Sequence, residues 1–478
     1  MAESKAWGPV PVRQPMARAE VPALRPSRVA LFFALHAPLA VAVYMVTPLG
    51  VAHALGAFAL GARWALSRQQ PVWVACAAGY ITGAEVLWRM AEAPVPWEFG
   101  KYAVASLLLL WLVRFRRLAG GMPMLYLALL LPSVALTATD AGPVTALVAI
   151  RTTLSGPFTL ACAALFFTQV RLSRPELHRI LLTTVAPALG VACTTLFLTV
   201  TAEELSFTDE SNFQTSGGFG PNQVSAALSC GAVLALAAAL DRGLHRSVRL
   251  MAFAAMALCI TQSAMTFSRG GLYNLVGALV LSSPLLLLDR GSCKRLLGLA
   301  AATVLLAALI VLPRLSALTG GALERRFQDT GVTRRDDIAK AQWQLFRENP
   351  LFGVGLGRTA AYVGNASHTE PIRLVAEHGL LGVIALLVLA AMALQSIWRQ
   401  RTALDKGLVI LLLAWSGLFT LNVAMRLAAA SFVFGLGCTR LPPPRRKRPR
   451  PPVPPPAAPA DPMAPADPPA PPGSDPPQ

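Results

Sequence analysis

About fourteen apolar runs separated by short polar links leave this chain few ways to fold. The runs fall at roughly 29–47, 50–66, 72–88, 102–113, 122–138, 153–170, 180–200, 222–240, 249–267, 271–288, 296–312, 375–397, 407–421 and 424–439. About 20 apolar residues cross a hydrocarbon layer as a helix, and only helices and closed barrels satisfy their own backbone there. Several runs are shorter than that, so the expected fold is an all-α polytopic membrane helix bundle of about 12–14 transmembrane helices. The balance of residues agrees: 14% are charged, where a soluble domain carries about 25%.

The links test this arrangement independently. Basic clusters at Arg63 and Arg68, Arg114–Arg117, Arg171–Arg179, Arg242–Arg249, Arg290–Arg295, Arg399–Lys406 and Arg445–Arg450 all fall on one side if the runs alternate, and that side is expected to be cytoplasmic. The other side receives Glu92, Glu98, Asp140, the acidic stretch Glu203–Glu210, the turn Ser268-Arg269-Gly270-Gly271 and the one long polar loop. Five segments follow: 1–28, a disordered cytoplasmic N-terminus; 29–312, a transmembrane bundle; 313–374, the exoplasmic loop; 375–440, C-terminal transmembrane helices; and 441–478, a disordered Pro/Ala-rich cytoplasmic tail. The net charge of +18 is explained by positive-inside links, and no separable basic module invites nucleic acid. Seven scattered cysteines, with no CxxC, read as small buried residues.

Three exoplasmic stretches carry residues suited to chemistry. Gly217-Gly218-Phe219-Gly220-Pro221-Asn222 turns sharply into an apolar run. The Arg269 turn joins two runs with almost no loop, directing its guanidinium at the headgroup layer. The long loop holds Arg314, Arg325, Arg326, Arg334, Arg335, Arg347, Arg358 and Arg373 against fewer carboxylates. Guanidinium matches phosphate oxygens with two parallel charge-assisted hydrogen bonds, so an anionic lipid diphosphate suits this excess. In the same loop, Asn349-Pro350 stops a helix, and Gly353, Gly355 and Gly357 let backbone approach closely, to phosphate or sugar. Their spacing is not that of a dinucleotide site. His368 is the only histidine within the loop proper, and an imidazole of ordinary pKa ~6.5 takes a proton from a hydroxyl near neutral pH. His36, His53, His178 and His245 read as structural.

Taken together, Pro350-Leu351-Phe352-Gly353-Val354-Gly355-Leu356-Gly357, then His368, then Glu377-x-Gly379-x-x-Gly382 opening an apolar helix, resemble the hallmark of the O-antigen ligase and polymerase superfamily of bacterial envelope glycan enzymes. The Arg269 turn is similar to the family's upstream arginine motif, Pro221-Asn222 to its Pro-Asn segment, and Arg335 to its loop arginine. The likeness covers roughly residues 150–395. Thr369 stands where members commonly have Asn, and the segment between glycines and histidine is short. The resemblance implies a GT-C-like, metal-independent, inverting glycosyltransferase of the inner membrane that needs no cofactor. Its donor would be an undecaprenyl-diphosphate-linked glycan, and its acceptor lipid A-core or another hydroxyl, met in a periplasmic catalytic loop. His368, Arg269 and Arg335 would be catalytic, with Arg326, Gly353, Gly355, Gly357, Asn222 and Glu377 binding substrate. A repeat-unit polymerase of the same superfamily is the alternative reading. A lipid-linked glycan transporter is the contrasting one, disfavoured because the runs carry few charges near their centres, Glu85 and Arg426 being the exceptions.

Overall fold

Proline sets many of the helix starts, where its missing N–H costs nothing and its fixed φ suits the first turn. The computed structural model describes residues 24–441 except 69, 208–209, 329–334, 365–366 and 368, with backbone alone at 310, 318, 327 and 335. The expected loose N-terminus up to residue 23 and the tail from 442 lie outside it. Along the chain come α1 (Pro26–Met45), α2 (Thr47–Ser67), α3 (Pro71–Met90), α4 (Phe99–Arg114), α5 (Met122–Ala141), α6 (Pro143–Thr152), α7 (Ser155–Gln169), α8 (Arg174–Thr201), α9 (Pro221–Leu240), α10 (Arg246–Met265) and α11 (Arg269–Leu288). Then come α12 (Arg290–Leu306), a π segment (Ala307–Val311), α13 (Leu312–Thr319), α14 (Ala322–Gln328), α15 (Arg335–Glu348), α16 (Thr359–Val363), α17 (Glu370–Trp398), α18 (Ala403–Asn422) and α19 (Ala428–Gly437). Helix α8 opens with a capping box, Ser173 with Glu176. No β-strand occurs among the described residues.

The chain therefore forms a polytopic membrane helix bundle. Among the described residues, 10 helical stretches are long and apolar enough to cross a membrane, or 11 if α6 and α7, bent by 50° at their junction, count as one. The upper end of the expected 12–14 counted every apolar run as a span, and the lower end set aside only two short ones. The difference lies in α3, α4 and α19. Helix α4 has 16 residues and α19 has 10, while α3 is long enough but carries Glu85 and Arg89. These are inner helices. In α3 all but Trp73, Tyr80 and Arg89 are buried, and in α19 every residue is. A helix surrounded by protein need not meet the length or apolarity that lipid demands. Leu31, Leu35, Leu55, Leu131, Val280 and Leu305, on outer helices, are exposed and form the apolar belt that faces lipid.

Inner helices approach through small residues, as packing without a hydrophobic drive requires. A Cβ at Gly83 of α3 would sit 2.4 Å from the Thr184 carbonyl oxygen of α8.

Helix ends sort into two sets. At one, Arg174 pairs with both Asp241 and Asp405, Arg295 donates to the Leu240 carbonyl, Trp111 donates to Arg68 O at 3.0 Å, and Gln400 donates to Thr439 O at 3.0 Å. Burial pushes the Asp241 carboxyl up, yet His178, 3.0 Å away, and Arg174 hold it well below the usual carboxylate range. At the other end, Arg89 donates to the carbonyls of Trp97 and Arg426, both at 3.1 Å, and Asn212 N donates to Thr266 O at 2.9 Å. The basic links thus gather at one end and the long loop at the other, the alternation the charges imply.

Gly83→Val is expected to destabilise the bundle by about 1–3 kcal/mol or more through overpacking. Gly298→Val, on α12 with nothing within 4 Å of its Cβ position, should leave thermal unfolding in detergent unchanged. Equal melting temperatures for the two variants would refute the packing account.

Candidate active site

The turn between α10 and α11 is built tightly because no residues are spare. Phe267 takes a left-handed backbone, φ 57°, to reverse the chain, and its ring stacks on Phe207 at 5.4 Å. The Ser268 hydroxyl donates to Asn222 Oδ1 at 2.7 Å, and Ser225 Oγ donates to Ser268 O at 3.0 Å. A side chain at Gly271 would place its Cβ 2.3 Å from Ser225 Oγ. The N-termini of α9 and α11 therefore lie side by side, with half-buried Arg269 as the first residue of α11. Both helix dipoles favour negative charge there. Arg326 arrives from α14 and donates through Nε to Phe267 O at 3.3 Å. Leu315, Ala322 and Leu323 pack with Met265 and Phe267 to seat this part of the loop.

The second half of the loop is seated by its glycines. Gly353, Gly355 and Gly357 all have positive φ, at 70°, 94° and 73°. Val354 N donates to Ala376 O at 3.0 Å, Gly355 N to Glu377 O at 3.1 Å, and Leu380 N to Pro350 O at 2.7 Å. These bonds are open because α17 breaks at Gly379, φ 59° and ψ −138°. A Cβ at Gly353 would come 2.4 Å from the Glu377 carbonyl carbon, and one at Gly379 would come 2.6 Å from Gly353 N. The close approach expected of these glycines is thus made to protein: Gly353 to the α17 backbone, Gly355 to Thr137 of α5 and Gly357 to Ala149 of α6, which a Cβ would meet at 2.6 Å and 2.9 Å. Of the three, Gly357 also lines a cavity.

That cavity, about 410 Å³, lies among α4, α17 and the α18–α19 link, with Lys101, Ser367, Glu370, Arg373, Glu377 and Arg426 in its wall. Glu377 is buried. It accepts from Arg373 Nη1 at 2.5 Å and from Thr359 Oγ1 at 2.7 Å. Arg373 also donates through Nε to Glu370 at 3.0 Å. Lys101 pairs with Glu98 and donates to Met425 O at 3.1 Å. A smaller cavity of about 130 Å³, which Asn222 and Asn422 help to line, shares Gln223 and Arg426 with the larger one. Arg89 donates to Gln223 Oε1 at 2.8 Å and to Glu85 at 2.7 Å, tying α3 to this wall.

The structure thus brings together Asn222, the Arg269 turn and Arg326 on one side, and Gly357 and Glu377 on the other. Arg335 begins α15, and its side chain lies outside what is described. His368 also lies outside the described residues. Its neighbour Ser367 lines the larger cavity and accepts at its carbonyl from Arg426 Nη2 at 3.4 Å. Sequence reasoning assigned no role to Arg89, Lys101 or Glu370, and counted Arg373 only among the loop's cationic excess. Charges inside or at the edge of apolar runs were the available signal, since such residues face a bundle interior or a cavity.

No curated protein matches the chain. Residues 252–387 match the family model described as O-antigen ligase. This stretch contains the Arg269 turn, the glycine loop and Glu377, and it supports the chain's membership of the O-antigen ligase and polymerase superfamily.

Proposed function

We propose that this chain is a glycosyltransferase of the ligase kind. It moves a glycan from an undecaprenyl-diphosphate carrier to a hydroxyl acceptor, such as lipid A-core, at the periplasmic face of a bacterial inner membrane. The observation that carries this reading is the convergence of Asn222, the Arg269 turn and Arg326 on one bundle end, next to cavities walled by ion-paired cations. Basic links gathered at the opposite end support placing that end, with both termini, in the cytoplasm. The family match supports a lipid-linked glycan donor.

In this reading the reaction is a single displacement without metal. The acceptor oxygen attacks the anomeric carbon, the bond from that carbon to the carrier phosphate breaks, and configuration inverts. The acceptor proton passes to His368. The negative charge left on the diphosphate is met by Arg269 and Arg335, with Arg326 and the two helix N-termini beside them. Glu377 faces the cavity and pins Arg373, so its contribution is to hold a cation on the substrate side. The glycines position the loop against α5, α6 and α17 rather than gripping substrate directly.

In proteoliposomes given lipid-linked donor and lipid A-core, His368→Ala should slow transfer by about 10²–10⁴-fold, and Arg269→Ala by about 10²–10³-fold. Wild-type rates in either variant at normal expression would remove that residue from the mechanism. A ladder of lengthening carrier-linked product, formed without lipid A-core, would instead identify a repeat-unit polymerase. Glu377→Ala leaves Arg373 with Glu370 alone. It should cost at most about 3–5 kcal/mol of stability, read as a lowered melting temperature, together with reduced transfer. An unchanged melt would show that Glu370 suffices.

A further inference from the structure

A space larger than either cavity of the candidate active site lies elsewhere in the bundle. A crevice of about 770 Å³ runs between α1, α2, α3 and α8. Its mouth lies where α1, α3 and α8 begin and α2 ends, the end of the bundle that gathers the basic links. Arg25, Arg28 and Arg179 line it, and among the described residues none that lines it is acidic. The Arg179 guanidinium lies 5.1 Å from the centre of the Trp73 ring, and the Trp73 and Trp64 rings are 5.7 Å apart. Beyond them the walls are apolar, with Phe32, Ala57, Leu60, Ala77 and Leu182. Leu60 is also 45% exposed, so the crevice is continuous with the lipid-facing belt.

His53 and Tyr80, which line the inner part of the crevice, have their polar atoms engaged with protein and offer nothing to a charged group. Trp88 Nε1, which only donates, hydrogen-bonds to His53 Nδ1 at 2.8 Å. His53 Nε2 must then donate to Tyr80 Oη at 2.7 Å. A hydrogen bond of 3.2 Å joins Tyr80 Oη to His36 Nε2, and His36 Nδ1 donates to the Phe32 carbonyl, which only accepts, at 2.6 Å. His53 Nδ1 accepts from an indole N–H, so that imidazole is neutral, and each group in the chain has a partner. A ligand with one anionic end therefore has its charge met at the mouth and its apolar part inside. Tyr80 lies nine residues into α3, about 14 Å at the helical rise, roughly half the hydrocarbon thickness.

We propose that this crevice binds an anionic phospholipid of the surrounding leaflet. Its phosphate is held by Arg25, Arg28 and Arg179, and an acyl chain is seated against Phe32, Leu60, Trp64 and Leu182. Basic pockets between membrane helices recognise headgroups in this way. The chain's own residues 1–23 are a poorer match, because they carry Lys5, Arg13 and Arg18 against Glu3 and Glu20 and would bring cations to a cationic mouth. The site stands apart from the proposed transfer chemistry, and its test does not require that activity.

The test is native mass spectrometry of the full-length protein, purified in detergent and supplied with phosphatidylglycerol or phosphatidylcholine of the same acyl chains. Wild type should retain phosphatidylglycerol preferentially, and this lipid should raise its melting temperature more than phosphatidylcholine does. Arg25→Ala with Arg28→Ala, both at exposed positions, should weaken phosphatidylglycerol retention by about thirtyfold, the strength of two arginine contacts to anionic lipid. Gly56 lines the crevice, and nothing lies within 4 Å of its Cβ position. Gly56→Phe should therefore block both lipids while keeping the lipid-free melting temperature. Equal retention of the two lipids by wild type, or undiminished phosphatidylglycerol retention in both variants, would overturn the proposal. So would a wild-type protein that retains neither lipid, which would mean that another occupant, residues 1–23 first among them, fills the space.

Discussion

Hydrocarbon offers no partner to a charged side chain, so any charge that leaves a helix end in this bundle has to be met by protein. Glu85 shows how completely that is done. Its carboxylate accepts from Arg89 and from the backbone N–H of Ala428 at 2.7 Å, the latter at the start of α19. Gly100 of α4 leaves room for it, since a Cβ there would come 2.6 Å from the Glu85 carboxyl carbon. Three inner helices are thereby locked to one buried anion. The polar wall of the candidate site grows outward from it through Arg89, Gln223 and Arg426.

Around this scaffold the long loop acts in two halves with different attachments. The first half rides on the α10–α11 turn through Arg326 and a small apolar cluster. The second is stitched to the broken α17 by three backbone hydrogen bonds. The arginine turn and the cavity beside α17 are thus held by separate fastenings to one rigid bundle. This suits a site that must take two large substrates, because each can be positioned by its own half.

Much of the architecture was legible in the amino-acid order. Apolar runs at 222–240 and 271–288 became Pro221–Leu240 and Arg269–Leu288, because proline, glycine and charge mark their edges so sharply. Alternation of basic and acidic links matched the two sets of helix ends. Motifs singled out Asn222 and the Arg269 turn separately, but not the serine that joins them. What was hidden depends on depth within the bundle. A count of apolar residues cannot separate an inner helix from a lipid-facing one, so α3, α4 and α19 looked like ordinary spans. For the same reason Lys101 drew no notice, although it lines the cavity. Short helices inside the loop, such as α16, have too few residues for a period to show. The glycines of the loop were recognised as sites of close approach, but which backbone they approach depends on the break at Gly379, which no local pattern announces.

That break also separates two mechanical regimes. Below Gly379, α17 is a long rod whose inclination answers to bilayer thickness, as a spanning segment's does. Above it, the turns bearing Glu370, Arg373 and Glu377 take their bearing from the glycine loop and from Ser133, whose carbonyl accepts from Leu356 N at 3.2 Å. Rotation of the rod is not transmitted rigidly through an interrupted helix. The cation held at the cavity wall therefore takes its orientation from the loop's fastening rather than from the axis of the spanning rod.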